Sequence, residues 1–170
     1  VRIRFRWTSR KASLAYPVPP APGTAVLTPW FRSSGAVRLF GLDDWQEFEP
    51  CAIAATWPQL ETLMRKKMPA LTHALIVLAR PGDALLTGPQ REKLWTAFHV
   101  PVFQQIVNGC GVLLASECEA HDGLHIESAQ VVAIGAPLDR TTCGCGRTTP
   151  RLKPMEQPVP MPMWAATAAR

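Results

Sequence analysis

An α/β fold is predicted, built of Rossmann-like βα units and followed by an antiparallel β hairpin region with a candidate structural zinc site. Three observations predict it. Between residues 57 and 107, helical and strand-like apolar patterns alternate as they do in βα units. Between 111 and 135, three short strand-like runs follow one another with turn residues between them. Cys118, His125, Cys143 and Cys145 then bring thiolate and imidazole donors to two nearby places in the chain.

Taken in order, residues 1–7 (VRIRFRW) alternate apolar and basic side chains, the pattern of an edge strand with its arginines in water. Residues 16–29 hold five prolines in fourteen positions and read as an extended linker or a surface strap, neither helix nor central strand. Strands are expected at 36–42 (AVRLFGL) and 51–57 (CAIAATW). Pro58 suits a first helical turn, and Leu60, Leu63, Met64 and Met68 recur at helical spacing. ALIVLA at 74–79 is a buried strand stopped by Pro81-Gly82. Thr87 and Gln90 form a capping box for a second helix, whose apolar face is Leu94, Trp95 and Phe98. VPVFQQIV at 100–107 resumes as a strand, so parallel pairing is expected. The runs 111–117, 124–127 and 129–135 make the antiparallel set, with His121-Asp122-Gly123 as turn residues.

The domain organisation that follows is a basic, Pro-rich arm over 1–34, an α/β domain over 35–152, and a Pro/Met-rich tail over 153–170. An apolar fraction of 47% suits a folded protein, and no apolar run approaches the roughly 20 residues of a membrane span. No apolar stretch follows the basic start, so no secretory signal is read and a cytoplasmic location is expected. The chain begins at Val1 rather than Met, which leaves processing and a longer parent chain both open. Residues 1–40 hold seven bases and no acid, whereas residues 41–138 hold six bases and eleven acids. A basic end on an acidic body suits either a solvated arm resting on that body or a nucleic-acid or lipid-headgroup contact. Arg2, Arg4, Arg6, Arg10 and Lys11 with Trp7 would carry a nucleic-acid contact, but the bases are scattered and lack interleaved aromatics.

Four of the five cysteines fall within residues 110–145, and without a secretion signal metal binding is a better use for them than disulfides. Cys118 closes one expected strand, and His125 lies across the turn on the returning one. Cys143-Gly144-Cys145-Gly146 adds two thiolates beside glycines that let the backbone wrap an ion and aim N–H groups at sulfur. His121 is an alternative to His125, placed where the turn points it to solvent. Buried, unligated cysteines and a hairpin histidine fit the same spacing. Four soft donors saturate zinc, so the site would be structural; a catalytic zinc with Glu117 or Glu119 as general base is the alternative. Without metal, Glu117, Glu119, Asp122 and Glu127 would solvate the hairpin. Cys110 is read as a small buried or loop residue and Cys51 as a core one.

Residues 85–105 (LLTGPQREKLWTAFHVPVFQQ), 117–127 (ECEAHDGLHIE) and 143–152 (CGCGRTTPRL) resemble the phenylacetate–CoA ligase family of adenylate-forming enzymes. They match the C-terminal part of its large domain, over about residues 84–152. The resemblance implies a structural metal site on Cys118, His125, Cys143 and Cys145. The departures matter as much. The family's Ser/Thr/Gly-rich phosphate loop and Thr-Gly-Asp segment have no counterpart here, and Ile106-Val107-Asn108-Gly109-Cys110 stands where Tyr-Gly-x-Ser-Glu is expected. The small C-terminal domain with its catalytic lysine has no room after residue 152. The expectation is therefore a non-catalytic, zinc-stabilised domain serving as accessory or binding subunit of a larger protein complex. Part of a split acyl-CoA ligase and a basic nucleic-acid-binding module are the alternatives.

Overall fold

A computed structural model of the chain describes residues 23–28, 37–39, 49–66, 70–128 and 138–153. They form one sheet of nine strands and two helices: β1 Thr24–Val26, β2 Val37–Leu39, β3 Ala52–Thr56, α1 Trp57–Leu63, β4 Ala74–Ala79, α2 Gly88–Phe98, β5 Val102–Val107, β6 Leu113–Glu117, β7 Leu124–Ile126, β8 Leu138–Asp139 and β9 Arg151–Leu152. The strand order is β2-β1-β3-β4-β5-β6-β7-β9-β8. Pairing is parallel from β2 to β5 and antiparallel from β5 to β8. The expected division into βα units and an antiparallel region is thus a single continuous sheet.

The parallel half follows from its residues. Every residue of β4 and β5 is buried, as strands covered on both faces require, and ALIVLA offers no polar side chain to either face. Both helices start on capping boxes, Thr56 with Gln59 and Thr87 with Gln90. Each threonine N–H donates to the glutamine Oε1, at 2.9 and 3.0 Å, satisfying donors that a helix start leaves open. Leu60 and Leu63 of α1 and Leu94 and Phe98 of α2 pack on Ile53, Ala55, Leu75, Val77 and Val102 to make the larger core. A smaller core joins Ala79, Ile106, Leu114, Ala115, Leu124 and Leu152 beneath the antiparallel half.

Three expectations are corrected here. Thr24–Val26 falls within the segment read as a strap, yet it is a buried strand paired to β2 on one side and β3 on the other. The prolines stop at Pro22 and resume at Pro29, so the residues between keep the N–H groups a ladder needs. Cys51 is exposed rather than part of the core, because it stands one residue before β3. Its carbonyl accepts from the N–H groups of Thr72 and His73 while its thiol faces out. Trp95 does not join the apolar face of α2 and is 53% exposed. Leu94 and Phe98, one helical turn apart, already fill that stripe. Leu94→Ala is accordingly expected to cost about 2–5 kcal/mol and Trp95→Ala about 1 kcal/mol or less, measured by denaturant unfolding.

Helix α1 ends at Leu63 with Met64 as its C-cap, and Met68 lies outside the described residues. So do the expected strands at 1–7 and 129–135, the basic residues of the N-terminal arm and the tail beyond Lys153.

Candidate metal centre

The centre forms where β6, β7 and the segment between β8 and β9 meet. Antiparallel pairing sets Ser116 opposite His125 and Glu117 opposite Leu124, so Cys118 leaves β6 just as the chain turns. The turn is closed by the His121 N–H donating to the Cys118 carbonyl at 3.0 Å. His121 and Gly123 both have positive φ, +50° and +87°. At Gly123 no other residue fits, since a Cβ would lie 2.6 Å from the Leu152 carbonyl oxygen. The second loop folds back in the same way: the Cys143 N–H donates to the Arg147 carbonyl at 3.0 Å and the Gly146 N–H to the Cys143 carbonyl at 2.8 Å. A Cβ at Gly144 would lie 3.5 Å from the Ala120 Cβ, so the two loops approach each other closely at their tips.

This places one donor atom each from Cys118, His125, Cys143 and Cys145 within 4.8 Å of one another. The Cys118 and Cys143 sulfurs are 3.6 Å apart, and the Cys145 sulfur is 3.4 Å from His125 Nε2. A tetrahedral ion with metal–sulfur bonds of about 2.3 Å and metal–nitrogen bonds of about 2.0 Å needs edges of roughly 3.8 and 3.6 Å. These two edges match such an ion within a few tenths of an ångström. His125 Nδ1 is engaged by Thr149 Oγ1 at 2.8 Å, which leaves Nε2 directed at the cluster. This Cys₃His group, three of its four members buried, could hold a metal ion.

The four donors differ in their readiness to bind a cation. Burial pushes the Cys118 thiol up to about 12, opposed by the Ala120 N–H that bonds its sulfur. The Cys145 N–H bonds the Cys143 sulfur and lowers that thiol. Burial lowers His125, with the Arg147 and Arg151 charges acting in the same direction, so its imidazole is neutral and available as a donor. An ion placed among these groups would offset the burial that holds Cys118 protonated. The backbone amides that support the sulfurs come from Ala120 and Cys145, each two residues beyond the cysteine served, rather than from the glycines.

Around the cluster the expected solvated carboxylates are corrected at Glu117, which is buried, while Asp122 and Glu127 are exposed yet ion-paired. Glu117 is 5% exposed and binds Arg91 Nη2 at 2.9 Å and the Gln104 N–H at 2.8 Å. Glu127 accepts from Ser116 Oγ at 2.6 Å and from Arg147 at 2.8 Å. Asp122 pairs with Arg151 and, at 3.0 Å, with Lys153. Glu119, Asp122 and Glu127 are exposed as expected, and Glu117 is the one of the four that is buried. The reason for the Asp122 pairs is the sheet's continuation: β9 brings Arg151 and Lys153 against the hairpin, which a two-stranded reading of 111–127 does not contain. Glu117 is also held too firmly by Arg91 and Gln104 to serve as a mobile base. His121 points away from the sulfurs, stacks on Phe103 with ring centroids 5.0 Å apart, and bonds Glu117 at 3.1 Å. With Trp95, Arg91, Pro101 and Val102 it lines an open groove of about 450 Å³. Cys110 sits exposed in the loop after β5, where the amides of Cys110 and Val112 both donate to Asn108 Oδ1 at 2.9 Å.

Residue reasoning missed the clamp formed by Arg151, which is 1% exposed and lies opposite both His125 and Asp139. It donates to Asp122, to Asp139 at 2.7 Å and to Thr141 Oγ1 at 2.9 Å, while Lys153 reaches Asp139 at 2.9 Å. The acids at 122 and 139 flank the two loops in sequence, which was the available signal. Lys153 first, and then Arg151, lowers Asp122; Lys153 and the Thr141 N–H lower Asp139. A carboxylate depressed in the folded state stabilises fully above its unfolded pKa and loses that contribution as pH falls toward the folded value. Melting temperature is therefore expected to drop below about pH 4, and Asp139→Asn to flatten that drop in a pH series of thermal melts.

No family model matches the chain, and no curated protein matches it. Among solved structures it is similar to 2-hydroxyisobutyryl-CoA ligase in an open conformation with 2-HIB-AMP and CoA. The TM-score is 0.54 at 13% sequence identity, over 79% of this chain and 44% of that one. The chain thus shares the fold of part of an acyl-CoA ligase and spans less than half of that enzyme's length.

Proposed function

We propose that this chain is a non-catalytic, zinc-stabilised domain derived from a phenylacetate–CoA ligase-like enzyme, acting as an accessory or binding subunit of a larger protein complex in the cytoplasm. Cys118, His125, Cys143 and Cys145 bind zinc in this reading, and their convergence from two loops within 4.8 Å is the observation that carries it. Zinc suits three thiolates and one imidazole, and a full donor set leaves no position for substrate. The end of β5 departs from the pattern that the resemblance implies. Where the resemblance expects Tyr-Gly-x-Ser-Glu, Asn108 closes a turn on its own loop. Metal analysis of protein made in zinc-supplemented medium is expected to give about one zinc per chain; a zero would end the zinc reading. Co-purification with mass spectrometry tests the partner, and isolation as a lone chain under native conditions would count against a subunit role.

A second reading, part of a split acyl-CoA ligase, is favoured by the 44% coverage of the hydroxyisobutyryl-CoA ligase chain. ATP–pyrophosphate exchange with aryl acids, alone and with neighbouring gene products, separates the two. Signal only in the mixture would favour the split enzyme. The nucleic-acid alternative rests on residues outside those described, and a salt-dependent gel shift tests it directly.

A further inference from the structure

The four donors of the centre are unequally protected. Cys118, Cys143 and His125 are buried, whereas Cys145 is half-buried, so it is the donor residue most open to water. Cys118 and Cys143 approach each other to 3.6 Å, and the Cys145 sulfur lies within 4.8 Å of both. We propose that Cys145 is the hydroperoxide-sensitive thiolate of the centre and Cys118 its resolving partner, so that oxidation exchanges the metal clip for a Cys118–Cys145 disulfide. This rests on the zinc reading above.

The chemistry balances in two steps. The Cys145 thiolate attacks the peroxide; an S–O bond forms, the O–O bond breaks, and the departing oxygen leaves with the electron pair and takes a proton. The product is a sulfenic acid, its sulfur oxidised by two electrons and the peroxide reduced by two. The Cys118 thiolate then attacks that sulfur; S–S forms, S–O breaks, and hydroxide leaves and is protonated to water. Two thiolates, one hydroperoxide and two solvent protons thus give one disulfide, one alcohol (or water) and one water. His125 and Cys143 would then be the two donors left to a zinc ion, too few to retain it.

The choice of Cys118 follows from the fold. Cys143 and Cys145 are separated by one glycine, and a bridge between them closes a small, strained ring. Cys118 comes from the other loop, which already approaches the Cys143–Cys145 segment to 3.6 Å between the Cys118 and Cys143 sulfurs. A bridge there joins the same two segments that the metal joins, so the oxidised protein keeps its hairpin docked. Cys51 and Cys110 are also exposed, but each stands apart from this cluster.

The test uses the full chain with Cys51→Ser and Cys110→Ser, loaded with zinc and exposed to hydrogen peroxide. Released zinc is read with a chromogenic chelator and the bridge by peptide mass spectrometry without reduction. Bound zinc is expected to fall about tenfold as a Cys118–Cys145 linked peptide appears, and dithiothreitol with zinc to restore the starting state. Zinc retained through the treatment, a Cys143–Cys145 bridge, or direct passage to sulfinic acid overturns the inference and leaves the zinc reading intact. No zinc bound before peroxide is added overturns both.

Discussion

With the proposed zinc bound, stripping it with a chelator, or replacing Cys143 by Ser, is expected to lower the melting temperature by about 8–16 °C. A ligand that binds only the folded state stabilises it by about 4 kcal/mol when its free concentration is a thousandfold above Kd. In a chain of this size each kcal/mol is worth about 2–4 °C. The effect is large because the donors link segments that the cores hold weakly. The strands β8 and β9 are two residues each and meet the rest of the sheet only through β7. Differential scanning fluorimetry with and without chelator, on wild type and Cys143→Ser, measures it. The variant should also lose its response to chelator, since both treatments remove the same ion. Unchanged melting in both would mean that the cysteines serve only as packing.

Glu117→Ala is expected to be among the most damaging polar changes outside the ligands, at about 3 kcal/mol. It removes the acceptor for the Gln104 N–H at 2.8 Å, in a strand whose residues are all buried, and strands the Arg91 guanidinium. Arg91 can recover some water, which keeps the cost at the low end for a broken buried ion pair. Glu117→Gln retains an oxygen for Gln104 and gives up the charge, so about half that loss is expected. Urea unfolding of both variants checks the pair. Equal losses would assign the whole effect to the Arg91 charge rather than to the backbone hydrogen bond.

The elements most legible in the sequence were those whose stability is local. ALIVLA declares a buried strand by composition, and Thr87 with Gln90 declares a helix start, because those interactions lie within a few residues. The Cys118–His125 half of the centre was also legible, since one hairpin sets that spacing. Trp95 was misread because a helical stripe says which residues share a face, not how wide a face the sheet will cover. Thr24–Val26 was misread because neighbouring prolines dominate the local pattern, while a strand's place in a sheet depends on partners that here lie 13 and 28 residues away.

By itself the sequence determined the alternation of helices and strands over residues 57–107, the caps that start α2, and the chemical identity of a Cys₃His donor set. Only the tertiary structure decided that the four donors converge, that Thr149 directs His125, and that Arg151 binds the loops on either side through Asp122 and Asp139. The physical reason is range. Capping and periodicity act between neighbours along the chain, but Cys118 and Cys143 meet across 25 residues, and Asp122 and Arg151 across 29. Those meetings depend on β7, β9 and β8 being laid side by side, a cross-strand fact that no single stretch of the chain contains.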